Sequence, residues 1–151
     1  MKKQALKAIT MLFSIIVLAF VTAIASNAQS LGLQLKANIP FDFVVGNKTL
    51  AAGQYTIVQL TTTSDAGLSI RSRDGNHKAI RLTKAVQASD KRRKTTLTFR
   101  RYGETYYLAQ VWMAGSSEGR EIIKSTAERS ADRELAQNSR PEIVTIVADV
   151  E

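Results

Sequence analysis

Along residues 29–151, apolar and polar side chains alternate with a period of two, the pattern of strands that bury one face. Leu31, Leu33 and Leu35 alternate with Gly32, Gln34 and Lys36. Past Pro40, Phe41, Phe43 and Val45 alternate around Asp42 and Val44. Gly46-Asn47 predicts a turn, since both residue types tolerate positive φ, and Ala51-Ala52-Gly53 a second bend. Tyr55, Ile57 and Gln59 interleave with Thr56, Val58 and Leu60, a strand expected to be covered on both faces, before a polar loop over 61–67. Asp74-Gly75 is a two-residue hairpin signal of the type I′ kind. Before it, Leu68, Ile70 and Ser72 share one parity and Arg71 and Arg73 the other. After it, Ile80 and Leu82 are assigned to the side of Ile70, with Ala79, Arg81 and Thr83 opposite. Residues 95–101 alternate again, Leu97 and Phe99 inward and Thr96, Thr98 and Arg100 outward. The Tyr102-Gly103-Glu104 turn then leads into an aromatic strand over 105–113.

The texture changes at Ala114-Gly115-Ser116-Ser117. Residues 121–123 are expected to close the sheet. Ser125-Thr126-Ala127-Glu128 fits a capping box, opening a helix from about 126 to about 137 that Asn138 ends. Its apolar side is thin, Ala127, Ala131 and Leu135, so it is expected to lie loosely on the sheet or to project from it. Pro141 blocks its continuation, and about 142–150 forms a final strand. About eight or nine short strands with one late helix indicate an all-β fold: an antiparallel β-sandwich or partly open barrel with one short C-terminal helix.

The N-terminus changes the reading of compartment. Lys2, Lys3 and Lys7 precede an apolar run over 9–25, and Ser26-Asn27-Ala28 supplies small residues for cleavage. That layout predicts a secretory signal over 1–28 and a secreted or periplasmic domain over 29–151. The run, about 17 residues, is short for a bilayer span, so the processed chain is not expected to be an integral membrane protein. The chain has no Cys, which excludes disulfides, thiolate metal sites and lipid attachment at a cysteine. Charge is polarised: residues 29–101 carry 13 basic and 4 acidic side chains, residues 102–151 carry 5 and 9.

The block Asn38-Ile39-Pro40-Phe41-Asp42-Phe43-Val44-Val45-Gly46-Asn47-Lys48-Thr49-Leu50, followed by Ala51-Ala52-Gly53-Gln54-Tyr55-Thr56, resembles the opening of a family of small secreted acidobacterial proteins of unknown function. That family carries Pro where this chain has Ala51 or Ala52. Arg101-Tyr102-Gly103, Gln110-Val111-Trp112, Gly119-Arg120 and 125–129 are similar to it as well. The resemblance implies an exported bacterial β-domain, with no assigned activity and no functional residues to carry over.

His77 is the single histidine and falls beside the Asp74-Gly75 turn, without a second His or a Cys to form a metal set. No catalytic residue, metal or cofactor is expected. Asp65, Asp74, Asp90 and Glu104 lie in turns and Glu128, Asp132 and Glu134 on the helix, all expected to be solvated. Tyr102, Tyr106, Tyr107 and Trp112 are expected in the core. The basic side chains are the most distinctive set. Arg71, Arg73, Arg81 and Arg100 fall on the outward parity of three strands taken as neighbours, with Lys91, Arg92, Arg93 and Lys94 in the loop beside them. If those strands pair in order, they form a positive plate that attracts polyanions. The expected function is therefore a non-enzymatic envelope or extracellular protein binding anionic polysaccharide or lipid. The alternative is an assembly module whose C-terminal strand pairs with a protein partner. Intracellular nucleic acid is not an expected partner, because it conflicts with the export signal.

Overall fold

In the computed structural model, the residues described are 34–61, 66–136 and 140–150. The leader expected over 1–28, Leu31, Leu33, Asp65 and Asn138 lie outside them. The strands are β1 (Gln34–Ile39), β2 (Phe43–Val45), β3 (Lys48–Leu50), β4 (Gly53–Thr61), β5 (Ala66–Ser72), β6 (Lys78–Gln87), β7 (Thr96–Tyr102), β8 (Thr105–Trp112), β9 (Glu118–Ile122), β10 (Glu142–Val147) and β11 (Asp149–Val150). The helix is α1 (Thr126–Leu135).

The strands form one sheet in the order β10-β7-β8-β9-β6-β5-β4-β1-β11, with β2 and β3 attached beside β8. The fold is all-β with one short helix, as the alternation predicts. It is not purely antiparallel, because β2 pairs with β8 in parallel, Phe43 opposite Tyr106 and Val44 opposite Tyr107. The path is open, but its two ends belong to one terminal segment. β10 pairs with β7, β11 pairs with β1, and only Ala148 separates them. Ala148 is buried, and its N–H donates to the Thr95 carbonyl at 3.0 Å.

The inward parity builds the core from Leu35, Ile39, Phe43, Leu50, Ile57, Leu68, Ile70, Leu97 and Phe99. Phe43 stands edge-on to both Tyr55 and Phe99, at 5.0 and 5.6 Å between ring centres, an arrangement that favours the ring quadrupoles. β4 is buried at Tyr55 and Ile57, whereas Leu60 on its other face is exposed, so it is covered on one face rather than two. It also runs to Thr61, into the stretch expected to be loop.

Two expectations about strand order and parity are overturned. β6 and β7 are neighbours in sequence but not in space, because β9 inserts between β6 and β8. The β6–β7 connection must cross that insertion, and it is tied there: Ala88 N–H donates to the Ser117 carbonyl at 2.8 Å and Arg92 N–H to the Ser116 carbonyl at 2.9 Å. Second, Ile80 and Leu82 point outward and are 57% and 60% exposed. The hairpin sets Arg71 opposite Lys78 and Ile70 opposite Ala79, so Ala79 joins the core. Directly opposed residues share a face, which sends Ile80 to the other side. The turn is an Asx-type loop rather than type I′. Asp74 accepts from Ser72 Oγ and from Asn76 N–H (3.1 Å), and Gly75 alone takes positive φ, at 76°.

Helix α1 corrects the expectation of loose attachment. Ser125 caps it, its hydroxyl accepting from Glu128 N–H at 3.1 Å. Glu128 does not complete a reciprocal capping box; it turns into the sheet and is only 3% exposed. Beneath it lies Arg100, whose Nη1 donates to Glu128 at 2.6 Å and whose Nη2 donates to Glu121 at 2.7 Å. Lys84 adds a second cation to Glu121 at 3.0 Å. The Tyr102 hydroxyl donates to Asp132 at 3.0 Å, and Lys124 Nζ to the same carboxylate at 2.6 Å. The helix is therefore clamped by charge rather than by an apolar stripe, and Glu128 and Asp132 are structural acids rather than solvated ones. Burial works to raise the Glu121 carboxyl, but Lys84 and Arg100 outweigh it and hold the group below its ordinary value. The hydrogen bond from Lys124 holds Asp132 below the usual carboxylate range, helped against burial by Tyr102.

Candidate anion-binding face

The pairing registers decide which cations share a face. Across four adjacent strands, Lys36 on β1 opposes Thr56 on β4, Thr56 opposes Arg71 on β5, and Arg71 opposes Lys78 on β6. Directly opposed residues project from the same side of the sheet. Leu35, Ile57 and Ile70 fill the core from the alternate positions, so this row faces outward. Lys36, Arg71 and Lys78 are all exposed. The next row at the hairpin end adds Arg73. Its N–H donates to the Gln54 carbonyl at 2.9 Å and its Nη1 to Gln54 Oε1 at 2.8 Å, which fixes the side chain over β4. Strands lie about 4.8 Å apart, so the row from Lys36 to Lys78 spans about 14 Å.

Among the described residues, counter-charge beside this row is sparse. Asp149 opposes Lys36. Asp74 stands in the adjoining turn, where the Ser72 hydroxyl and the Asn76 amide hold it below its ordinary value, so it stays anionic there. A groove of about 420 Å³ opens alongside, lined by Lys36, Asn38, Gln54, Thr56, Arg73 and Asp149 among others. Its cations and amide groups suit phosphate, carboxylate or sulfate oxygens.

Of the cations expected from the sequence, Arg71 and Arg73 are on this face and two others are not. Arg81 opposes Leu68 on the inward parity. Its Nε donates to the Val45 carbonyl at 3.3 Å, and it packs so closely on Gly46 that a Cβ there would sit 2.0 Å from Nε. Arg81 thus pins the β2–β3 hairpin to β6. Arg100 is buried under α1 and holds two carboxylates, which leaves it nothing to offer a ligand. Lys91, Arg92, Arg93 and Lys94 are exposed, but in the loop after β6, at the far end of that strand from Lys78. Along a strand that separation is about 30 Å, so the loop and the face are two basic regions rather than one plate. Within the loop, the Arg92 guanidinium lies 4.3 Å over the Trp112 ring.

No family model, curated protein or solved structure matches this chain.

Lys36 and Lys78 are the members that sequence reasoning missed. The signal was present, because a turn centred on Asp74-Gly75 already places Arg71 opposite Lys78. Of the aromatic residues expected in the core, Tyr102, Tyr107 and Trp112 are buried, whereas Tyr106 is half-buried against its edge. His77 lies by the turn, its N–H donating to Ser72 Oγ at 2.9 Å. Among the described residues no cluster of His, Asp or Glu is arranged to hold a metal ion, and no helix is long and apolar enough to cross a membrane.

Proposed function

We propose that this is an exported binding protein of the cell envelope or extracellular space, which holds an anionic glycan or lipid on the outer face of β1, β4, β5 and β6. The observation that carries the reading is the row Lys36, Arg71 and Lys78, with Arg73 beside it: exposed cations on one face with Asp149 as the acid in the row. Exposed charges act over about a Debye length, roughly 8–10 Å at physiological salt, which such a cluster fills. The lysine-headed leader motivates the compartment. Assembly through the C-terminal strand is the second reading: β10 and β11 end the sheet path, each paired along one edge, and carry the exposed Ile143, Val147 and Val150.

The test is retention on dextran sulfate resin across a salt series. The wild-type protein is expected to bind at low salt and elute as salt rises. Arg71→Ala with Arg73→Ala and Lys78→Ala is expected to elute far earlier, while neutralising Lys91, Arg92, Arg93 and Lys94 has a smaller effect. Retention unchanged by the first set would overturn the assignment of the face.

A further inference from the structure

The cationic face continues into an apolar one. On β6, Ile80 follows Lys78 on the same side, and Leu82 follows Ile80, more than half of each side chain being open to solvent. The registers carry the band across the sheet: Ile80 opposes Ser69, which opposes Val58, and Leu82 opposes Gly67, which opposes Leu60. Gly67 has no side chain to interrupt that row, and Leu60 lies over it, 3.7 Å from where a Cβ would stand. Ile123 follows Ile122, the partner of Thr83, and is also exposed. Rows of the same face repeat about every 7 Å along a strand, so the apolar band begins one such step from the cations.

A hydrated polysaccharide gives Ile80 and Leu82 nothing to gain. A lipid surface offers anionic headgroups with the acyl boundary just beneath them, which suits a face that carries cations and aliphatic side chains next to one another. Long Lys and Arg side chains keep their heads at headgroup level while shorter aliphatic ones sink. We infer that this face docks on an anionic lipid surface, with Lys36, Arg71, Arg73 and Lys78 on the headgroups and Leu60, Ile80 and Leu82 entering the boundary with the acyl region. The inference rests on the reading above, since the same cations serve both, and adds that the ligand is an amphiphile.

The experiment is co-sedimentation of the protein, in the form its host accumulates, with vesicles of phosphatidylcholine alone and of phosphatidylcholine mixed with phosphatidylglycerol, alongside dextran sulfate. Binding to the mixed vesicles and not to phosphatidylcholine is expected. A basic side chain near an anionic membrane contributes about fivefold in partition, so Arg71→Ala, Arg73→Ala and Lys78→Ala together are expected to weaken vesicle binding about a hundredfold. Ile80→Ser with Leu82→Ser is expected to weaken it about tenfold or more while leaving dextran sulfate binding unchanged; both side chains are exposed, and near-UV circular dichroism verifies the fold. If the serine pair leaves vesicle binding intact, or if the protein binds dextran sulfate but no vesicle, the lipid inference fails and the polyanion reading survives. If light scattering shows a dimer that the serine pair dissociates, the band belongs to a second copy and the inference is wrong. Failure on both matrices removes both readings.

Discussion

Replacing Arg100 with alanine removes the cation that joins α1 to the sheet. In the native protein Arg100 is only 9% exposed, and its guanidinium lies within 2.6 Å of Glu128 and 2.7 Å of Glu121. Glu121 keeps Lys84 at 3.0 Å, so the uncompensated charge left behind is that of Glu128. Removing one partner of a buried pair costs about 3–5 kcal/mol, and the surviving contact places Arg100→Ala near the lower end, about 3 kcal/mol. A domain of this size has a total stability of about 5–15 kcal/mol, so the loss is a large fraction of it. With a urea slope of about 2 kcal/mol/M, the midpoint moves down by about 1.5 M. Trp112, the single tryptophan, reports the transition by fluorescence. Adding Glu128→Gln to Arg100→Ala removes the stranded charge and is expected to restore part of the loss. If Arg100→Ala costs less than about 1 kcal/mol at unchanged slope, the pair behaves as a solvated one and the clamp is wrong.

Two further outcomes follow from local geometry and charge. Gly119 lies against Trp112, where a Cβ would stand 2.6 Å from ring carbons; Gly119→Ala is expected to cost about 1–3 kcal/mol in urea melts and to red-shift the tryptophan emission, and an unchanged spectrum would refute that packing. Glu121 and Asp132 both titrate below their ordinary values of 4.5 and 3.8 in the folded protein. Their contribution is complete above those unfolded-state values and drains as pH falls below them, so thermal melts are expected to weaken between about pH 5 and pH 3, with Asp132→Asn flattening the fall; equal slopes in the two proteins would contradict it.

Strand positions were legible because a period-two pattern survives whatever the strands pair with. Leu68, Ile70, Leu97 and Phe99 are buried as the alternation requires, and the turns at Gly46 and Asp74-Gly75 are where their residues suggest. Pairing across the hairpin was legible too, but only by counting from the turn: the apolar character of Ile80 and Leu82 argued for burial, and the register overrides it. The insertion of β9 was not legible. Its sequence, Glu118 to Ile122, has no alternating apolar residues, and its neighbours are set by contacts distant in the chain. Glu128 was equally opaque, since an acid in the first turn of a helix is ordinarily a solvated partner of the helix dipole. Its burial depends on Arg100, 28 residues earlier, being aimed at the underside of the helix. The site was half visible for the same reason: Arg71 and Arg73 declare themselves, whereas Arg81 and Arg100 are diverted by neighbours that only the fold supplies.

The absence of cysteine allows the lipid-docking face to be tested directly. Leu82→Cys introduces a single thiol in the apolar band of the outer face, two same-face steps along β6 from Lys78, and its reaction with a polar maleimide is timed with and without phosphatidylglycerol vesicles. Rapid labelling in solution and strong protection on the anionic vesicles are expected, with no protection by phosphatidylcholine alone. A thiol that resists labelling in solution would place Leu82 in the core, and one that labels equally fast on anionic vesicles would show that this face does not dock on lipid.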